Sequence, residues 1–160
     1  MVRVRPARVE EADALTELCI RSKAHWGYDA EFMRLAAIAL AVRPATIEGG
    51  RVVVAEDRYG RPLGVAAIEP TGAEHRFDLS LLFVEPSAIG KGVGRTLFEA
   101  AAALAARQGG VSLSILADPF AAPFYRHLGP VRIGEVPSDA IPGRSLPLFE
   151  YAISRALAPE

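Results

Sequence analysis

The stretch Glu85–Gly110, EPSAIGKGVGRTLFEAAAALAARQGG, decides how this chain is read. Gly90, Gly92 and Gly94 fall within five residues, a spacing that weakens a helix, yet they lead straight into an alanine-rich run of high helix propensity. The alternating FDLSLLFV of Phe77–Val84 precedes them and reads as a strand. Strand, tight loop and helix in that order set backbone N–H groups at the positive end of a helix dipole, with no side chains to block an incoming anion. The expectation is a phosphate cradle; a glycine loop that only turns the chain is the plain alternative. Two nucleotide-binding patterns fail on spacing. A P-loop ending at Gly94-Arg95-Thr96 would need its first glycine at Ile89, and a dinucleotide fingerprint starting at Gly90 would need glycine where Arg95 stands.

Composition sets the frame around that loop. A chain of 160 residues reads as one domain spanning 1–160, and a chain of this length buries roughly 70% of its unfolded surface. Apolar residues make up 51% and charged residues 23%, with a formal net charge of −1, so nothing global draws the chain to nucleic acid or to an anionic membrane. The one cysteine, Cys19, excludes an intrachain disulfide and any multi-cysteine metal site, and its place in an apolar helical pattern reads as a buried, inert thiol. MVRVRPARVEEADAL at the N-terminus lacks an apolar signal core, and no window approaches the ~18 apolar residues of a membrane span, so a cytoplasmic protein is expected.

The order of elements is mixed α and β. The patterns predict strands over 1–5, 51–56, 63–69, 77–84, 111–116, 131–136 and 146–153. Helices are expected over 10–24, 30–41 (stopped before Pro44), 92–108 and 121–128. DRYGRP at 57–62 reads as a hairpin turn and PSDAIPGRSLP as a long ordered loop. The fold class is therefore α/β (α+β), with six to seven strands and about four helices.

The glycine segment resembles motif A of the GNAT (GCN5-related N-acetyltransferase) superfamily, Gln/Arg-x-x-Gly-x-Gly/Ala after a strand ending apolar-acidic-Pro. Here Phe83-Val84-Glu85-Pro86 supplies the strand end and Gly90-Lys91-Gly92-Val93-Gly94 the loop. Downstream, DPFAAPFYRHLG from Asp118 to Gly129 is similar to the family's second signature, and the element order fits from Val2 to about Ile153, so the resemblance implies a mixed, mostly antiparallel twisted sheet of six to seven strands flanked by about four helices. Three residues depart from the pattern: Ile89 replaces Gln/Arg, Asp118 stands where Asn is frequent, and Pro130 replaces a Phe.

The resemblance implies an acyl-CoA, most often acetyl-CoA, as co-substrate and no metal. The amides of Gly90, Lys91, Gly92, Val93 and Gly94 would take the pyrophosphate, with Ile89, Arg95 and Thr96 beside them. The main chain of Phe83 and Val84 would pair with the pantetheine arm, and Asp118 would lie near it. Lys91 reads equally as a solvated loop lysine. Tyr125 resembles the family's general acid, with a core tyrosine as its alternative. Along the 77–84 strand, Asp78 and Ser80 share the face opposite Phe77 and Leu79, which makes Asp78 a candidate base, with ordinary hydrogen bonding near a strand end as its alternative, and Ser80 a neighbour of the acceptor. His25, Trp26 and Tyr28 would line an acceptor pocket or simply staple two helices, and Arg144 would grip a substrate carboxylate or lie on the surface.

The resemblance implies an N-acetyltransferase (EC 2.3.1 type) acting on a small-molecule amine or a protein amino group by direct attack in a ternary complex. The expected partners include no nucleic acid and no membrane, and a homodimer is left open. A non-catalytic acyl-CoA-binding sensor or interaction module is the rival reading.

Overall fold

Alternation and helical spacing along the chain become seven strands and five α-helices, in a computed structural model that describes residues 2–153. In chain order these are β1 (Arg3–Pro6), α1 (Ala12–Ala24), α2 (Ala30–Ala36), α3 (Pro44–Glu48), β2 (Val52–Glu56), β3 (Pro62–Pro70), β4 (Arg76–Val84), α4 (Val93–Arg107), β5 (Ser112–Leu116), α5 (Ala122–Leu128), β6 (Val131–Pro137) and β7 (Ser145–Ala152). The strands form one mixed sheet in the order β1-β2-β3-β4-β5-β7-β6. Pairs β1–β2, β2–β3, β5–β7 and β6–β7 are antiparallel, and β4–β5 is parallel. Backbone bonds from Glu85 N to Leu63 O (2.7 Å) and from Thr71 N to Arg76 O (3.1 Å) tie the two ends of the β3–β4 hairpin.

The sequence-based helix over 30–41 is instead the α-helix α2 followed by a 3-10 turn, Ala37–Leu40. Pro44 does not merely follow a helix; it opens α3, because proline lacks the N–H that the first helical position leaves unbonded anyway. Helix α2 is capped by Asp29, whose carboxylate accepts from Phe32 N at 2.8 Å.

The chain divides into two compact units. The first holds the residues up to Ala67 together with Leu81–Ala101. Its core joins Leu15, Leu18 and Cys19 of α1, Ala36 and Leu40, Ile47 of α3, Val52 and Val54 of β2, Val65 and Ala67 of β3, and Leu81 of β4. All five residues of β2 are buried, as expected for a strand covered on both faces. On the face opposite Val65, Gly64 lets α4 approach: a Cβ there would stand 2.7 Å from Leu97 Cδ1, 2.9 Å from the Phe83 carbonyl oxygen and 3.3 Å from Val93 Cγ1. Glu56, only 3% exposed, keeps its charge because Arg5 Nε donates to it at 2.7 Å and Arg3 Nε at 3.0 Å. Arg5 also grips Glu11 through both terminal nitrogens, at 2.8 and 2.7 Å.

The second unit holds Ile68–Ser80 and the residues from Ala102 on. Its register is informative. Phe77 pairs Leu113, which pairs Tyr151, and Ile115 pairs Phe149; Phe77, Leu113, Ile115 and Phe149 are all buried. One residue along, Asp78 pairs Ser114, which pairs Glu150. Directly paired residues project to the same face of a sheet, and successive residues to opposite faces. The β4–β7 region therefore has one apolar face and one polar face. The parallel β4–β5 register covers only Arg76–Asp78 with Ser112–Ser114, and β4 from Leu79 onward lies outside it.

Candidate functional site

After β4 the chain makes a 3-10 turn, Pro86–Ala88, and reaches Gly90 and Gly92 at φ +84° and +82°. An L side chain in that region costs about 1–2 kcal/mol, so the turn selects glycine. A Cβ at either position would meet nothing within 4 Å, so the space before the loop is open. The base of the loop is held by Glu85, whose carboxylate accepts from Arg21 Nε (2.9 Å) and Nη2 (2.6 Å) of α1.

The first main-chain helical bond of α4 runs from Thr96 N to Gly92 O at 3.2 Å. Gly92 is thus the capping residue, and the N–H groups of Val93, Gly94 and Arg95 have no acceptor within the helix. Val93 is buried and pins the turn, while Lys91 and Arg95 are exposed. No acidic residue occupies the first turn, where a carboxylate would satisfy the dipole; Arg95 sits there instead. A cation there gains nothing from the helix dipole, and a bound anion would offset that small cost. The Thr96 hydroxyl donates back to Gly92 O at 3.1 Å, so its proton points into the helix rather than to a ligand. Ile89 is 40% exposed at the loop's shoulder and offers no donor. Phe83 and Val84 are half-buried at the end of β4.

On the second unit, β4 alternates as expected: Phe77 and Leu79 are buried, and Asp78 and Ser80 are exposed. Asp78 accepts a hydrogen bond at Oδ1 from the Ser114 hydroxyl of β5. Beyond Ser114 lies Glu150, which accepts from Arg76 Nη1 at 3.3 Å. Alternation along β4 singles out Asp78 and Ser80, whereas Ser114 and Glu150 come beside Asp78 only through strand register, which aligns positions far apart in the chain.

Tyr125 is 6% exposed and packs its ring against Phe149, with centroids 6.0 Å apart, and against Phe124 at 5.1 Å. Burial pushes the phenol above its ordinary pKa, so it stays protonated through the neutral range. Because Phe149 projects opposite Ser114 and Glu150, Tyr125 lies on the apolar face of this part of the sheet and Asp78 on the polar one.

Asp118 is not a plain substitute for asparagine. Its Oδ1 caps the 3-10 turn before α5 by accepting from Phe120 N at 2.9 Å, and its Oδ2 accepts from Arg144 Nη2 at 3.3 Å. Both side chains are largely buried, so Arg144 is an internal partner of Asp118 rather than a freely presented surface cation. The ring cluster of the first unit separates in two. Tyr28 stacks on Phe32 at 3.9 Å, with Lys23 Nζ 5.5 Å from the Tyr28 ring centre, whereas His25 and Trp26 are exposed beside the turn at Gly27 (φ +90°). Cys19 is fully buried and desolvation pushes its thiol up to about 12, which makes it a core residue and no nucleophile. Among the described residues, no group of three or more His, Cys, Asp or Glu is placed to hold a metal ion, and no helix is long and apolar enough to cross a membrane.

The mixed sheet thus carries its fourth strand through a glycine turn into the N-terminus of a long helix. Residues 48–129, just over half the chain, match the family model for the acetyltransferase (GNAT) domain, and the chain belongs to that family. No curated protein matches the sequence. Among solved structures it is similar to a GCN5-related N-acetyltransferase from Rhodopseudomonas palustris, at 24% identity over 94% of both chains with a TM-score of 0.74. It is also similar to YncA, a putative acetyltransferase from Salmonella typhimurium solved with its cofactor acetyl-CoA (20% identity, 100% of this chain and 98% of that one, TM-score 0.71). A third is the PaiA N-acetyltransferase from Thermoplasma acidophilum in complex with coenzyme A (13% identity, 95% and 99%, TM-score 0.73). At these identities the likeness is one of fold.

Proposed function

We propose that this chain is an N-acetyltransferase that moves an acetyl group from acetyl-CoA to the amine of a small molecule or a protein. The observation that carries the reading is the first turn of α4. Its Val93, Gly94 and Arg95 amides lack helical acceptors, open space lies before Gly90 and Gly92, and a basic rather than acidic residue shares the turn. These residues fit a pyrophosphate, with Lys91 and Arg95 adding charge.

The stretch of β4 that lies outside the β5 register, ending at Phe83 and Val84, has backbone groups suited to pair with an extended amide-bearing arm in the manner of an added strand. Attack by a neutral amine on the thioester carbonyl forms the C–N bond and breaks the C–S bond. The amine's proton must leave and the thiolate must be stabilised. Asp78 is the assigned proton acceptor. Tyr125, held protonated by burial, donates its hydrogen bond to the departing sulfur.

The test is thiol release from acetyl-CoA, measured against a panel of amines with and without carboxylates, aromatic rings and peptide termini. Amine-dependent release with an acetylated product supports the reading. CoA binding with no release by any amine would leave a non-catalytic acyl-CoA-binding module instead.

A further inference from the structure

We infer that Ser114 is a positioning residue for Asp78, fixing which oxygen of that carboxylate receives the acceptor's proton; the inference rests on the acetyl-transfer reading above. Asp78, Ser114 and Glu150 lie side by side on β4, β5 and β7 and project from one face of the sheet. The serine hydroxyl has one proton to give and two carboxylates beside it. The structure resolves that choice: Ser114 donates to Asp78 Oδ1, while Glu150 is engaged by Arg76 Nη1 at 3.3 Å. Arg76 comes from the same strand as Asp78, two residues before it, so β4 supplies both the carboxylate that Ser114 orients and the cation that occupies its rival.

The backbone behind the hydroxyl is anchored on both sides. Leu113 and Ile115 on either side of Ser114 are fully buried, at 0% and 1% exposure, which fixes the position from which the hydroxyl reaches. Asp78 is exposed and would otherwise exchange among rotamers. With Oδ1 committed to Ser114, Oδ2 is the oxygen left to take a proton. A proton acceptor must come within about 2.6–3.2 Å of the atom it serves, so holding one oxygen in a fixed direction contributes to rate without any contact between Ser114 and substrate. Ser114 therefore acts through Asp78 alone.

A double-mutant cycle on the full-length protein tests this, using single-turnover acetyl transfer to the best amine of the panel. Ser114→Ala is expected to slow transfer ~10-fold at saturating acetyl-CoA, with the apparent KM for acetyl-CoA unchanged. Ser114→Thr, which keeps the hydroxyl, should restore most of the rate. Ser114→Cys, close in size with a much weaker donor, should show the same loss as alanine. In an Asp78→Asn background, Ser114→Ala should cause no further loss, because the group it orients is already gone. Equal losses in both backgrounds, or a Ser114→Ala enzyme as fast as wild type, would overturn the inference while leaving acetyl transfer intact. A wild-type protein that acetylates no amine would overturn the functional reading and this inference together.

Discussion

Replacing Gly92 by alanine, lysine and glutamate in turn separates the shape of the loop from its electrostatics. Gly92 stands at φ +82°, and a Cβ added there would find nothing within 4 Å, so all three variants carry the same backbone penalty and none a clash at that atom. That penalty is about 1–2 kcal/mol, which for a protein of this size lowers Tm by roughly 2–8 °C. The charged variants then differ from alanine by Coulomb's law. A unit charge about 6 Å from one phosphate charge contributes between ~0.7 kcal/mol in a water-like medium and ~3 kcal/mol at an effective dielectric constant near 20. Gly92→Glu should thus bind CoA about 3- to 100-fold more weakly than Gly92→Ala, and Gly92→Lys more tightly than Gly92→Ala. The spread should shrink as salt rises, because the loop is solvent-exposed. Calorimetric titration with CoA at two ionic strengths, beside thermal melts, reads both quantities. Equal melting losses with CoA affinities that do not follow the sign of the charge would refute the assignment of pyrophosphate to this loop.

Gly64→Ala tests the support behind that loop: a Cβ 2.9 Å from the rigid Phe83 carbonyl oxygen forces β3 and β4 to shift, and a loss of about 1–3 kcal/mol is expected by denaturant unfolding. Tyr125 has a folded pKa raised by burial, so its contribution to stability is full below the unfolded value near pH 10 and is lost as pH rises beyond it. Tyr125→Phe should therefore gain stability relative to wild type as melts are taken above about pH 10. Glu11 and Glu56 are held below the ordinary carboxylate range chiefly by their hydrogen bonds to Arg5, so the stability they contribute is present at neutral pH and lost as pH falls through their lowered values. Melts of Glu56→Gln against wild type should show a smaller acid-dependent loss in the variant below about pH 4.

Much of the fold was legible because its signals are local. The helix after the glycines, the alternating β4 and the hairpin turn before β3 each declare themselves within ten or so residues, and their bounds differ from expectation by a residue or so. Pro44 misled only as punctuation, since the same residue that ends one helical pattern can begin the next. The loop was legible for the same reason: Gly90 and Gly92 are needed by the very turn they form. The polar face of the second unit was half legible. Alternation along β4 exposes Asp78 and Ser80, but Ser114 and Glu150 join Asp78 only through the registers of β5 and β7, which no local pattern specifies. Asp118 shows the same limit. Its cap to Phe120 is two residues away, whereas its partner Arg144 is 26 residues distant and is set by how the loop before β7 folds back. Composition at Arg21–Phe32 suggested one ring cluster, yet the turn at Gly27 parts it into a stacked Tyr28–Phe32 pair and an exposed His25–Trp26 pair.

The most direct measurement is single-turnover transfer from acetyl-CoA, followed by the mass of the acetylated amine, for wild type and Tyr125→Phe at matched occupancy of acetyl-CoA. The account predicts an amine product one acetyl group heavier, and a rate lower by ~10²-fold in Tyr125→Phe with CoA affinity preserved. Single-turnover conditions keep slow product release from masking the chemical step. Full-rate transfer by Tyr125→Phe would contradict the role given to the buried phenol, and a wild-type protein that binds CoA yet acetylates no amine would contradict the account as a whole.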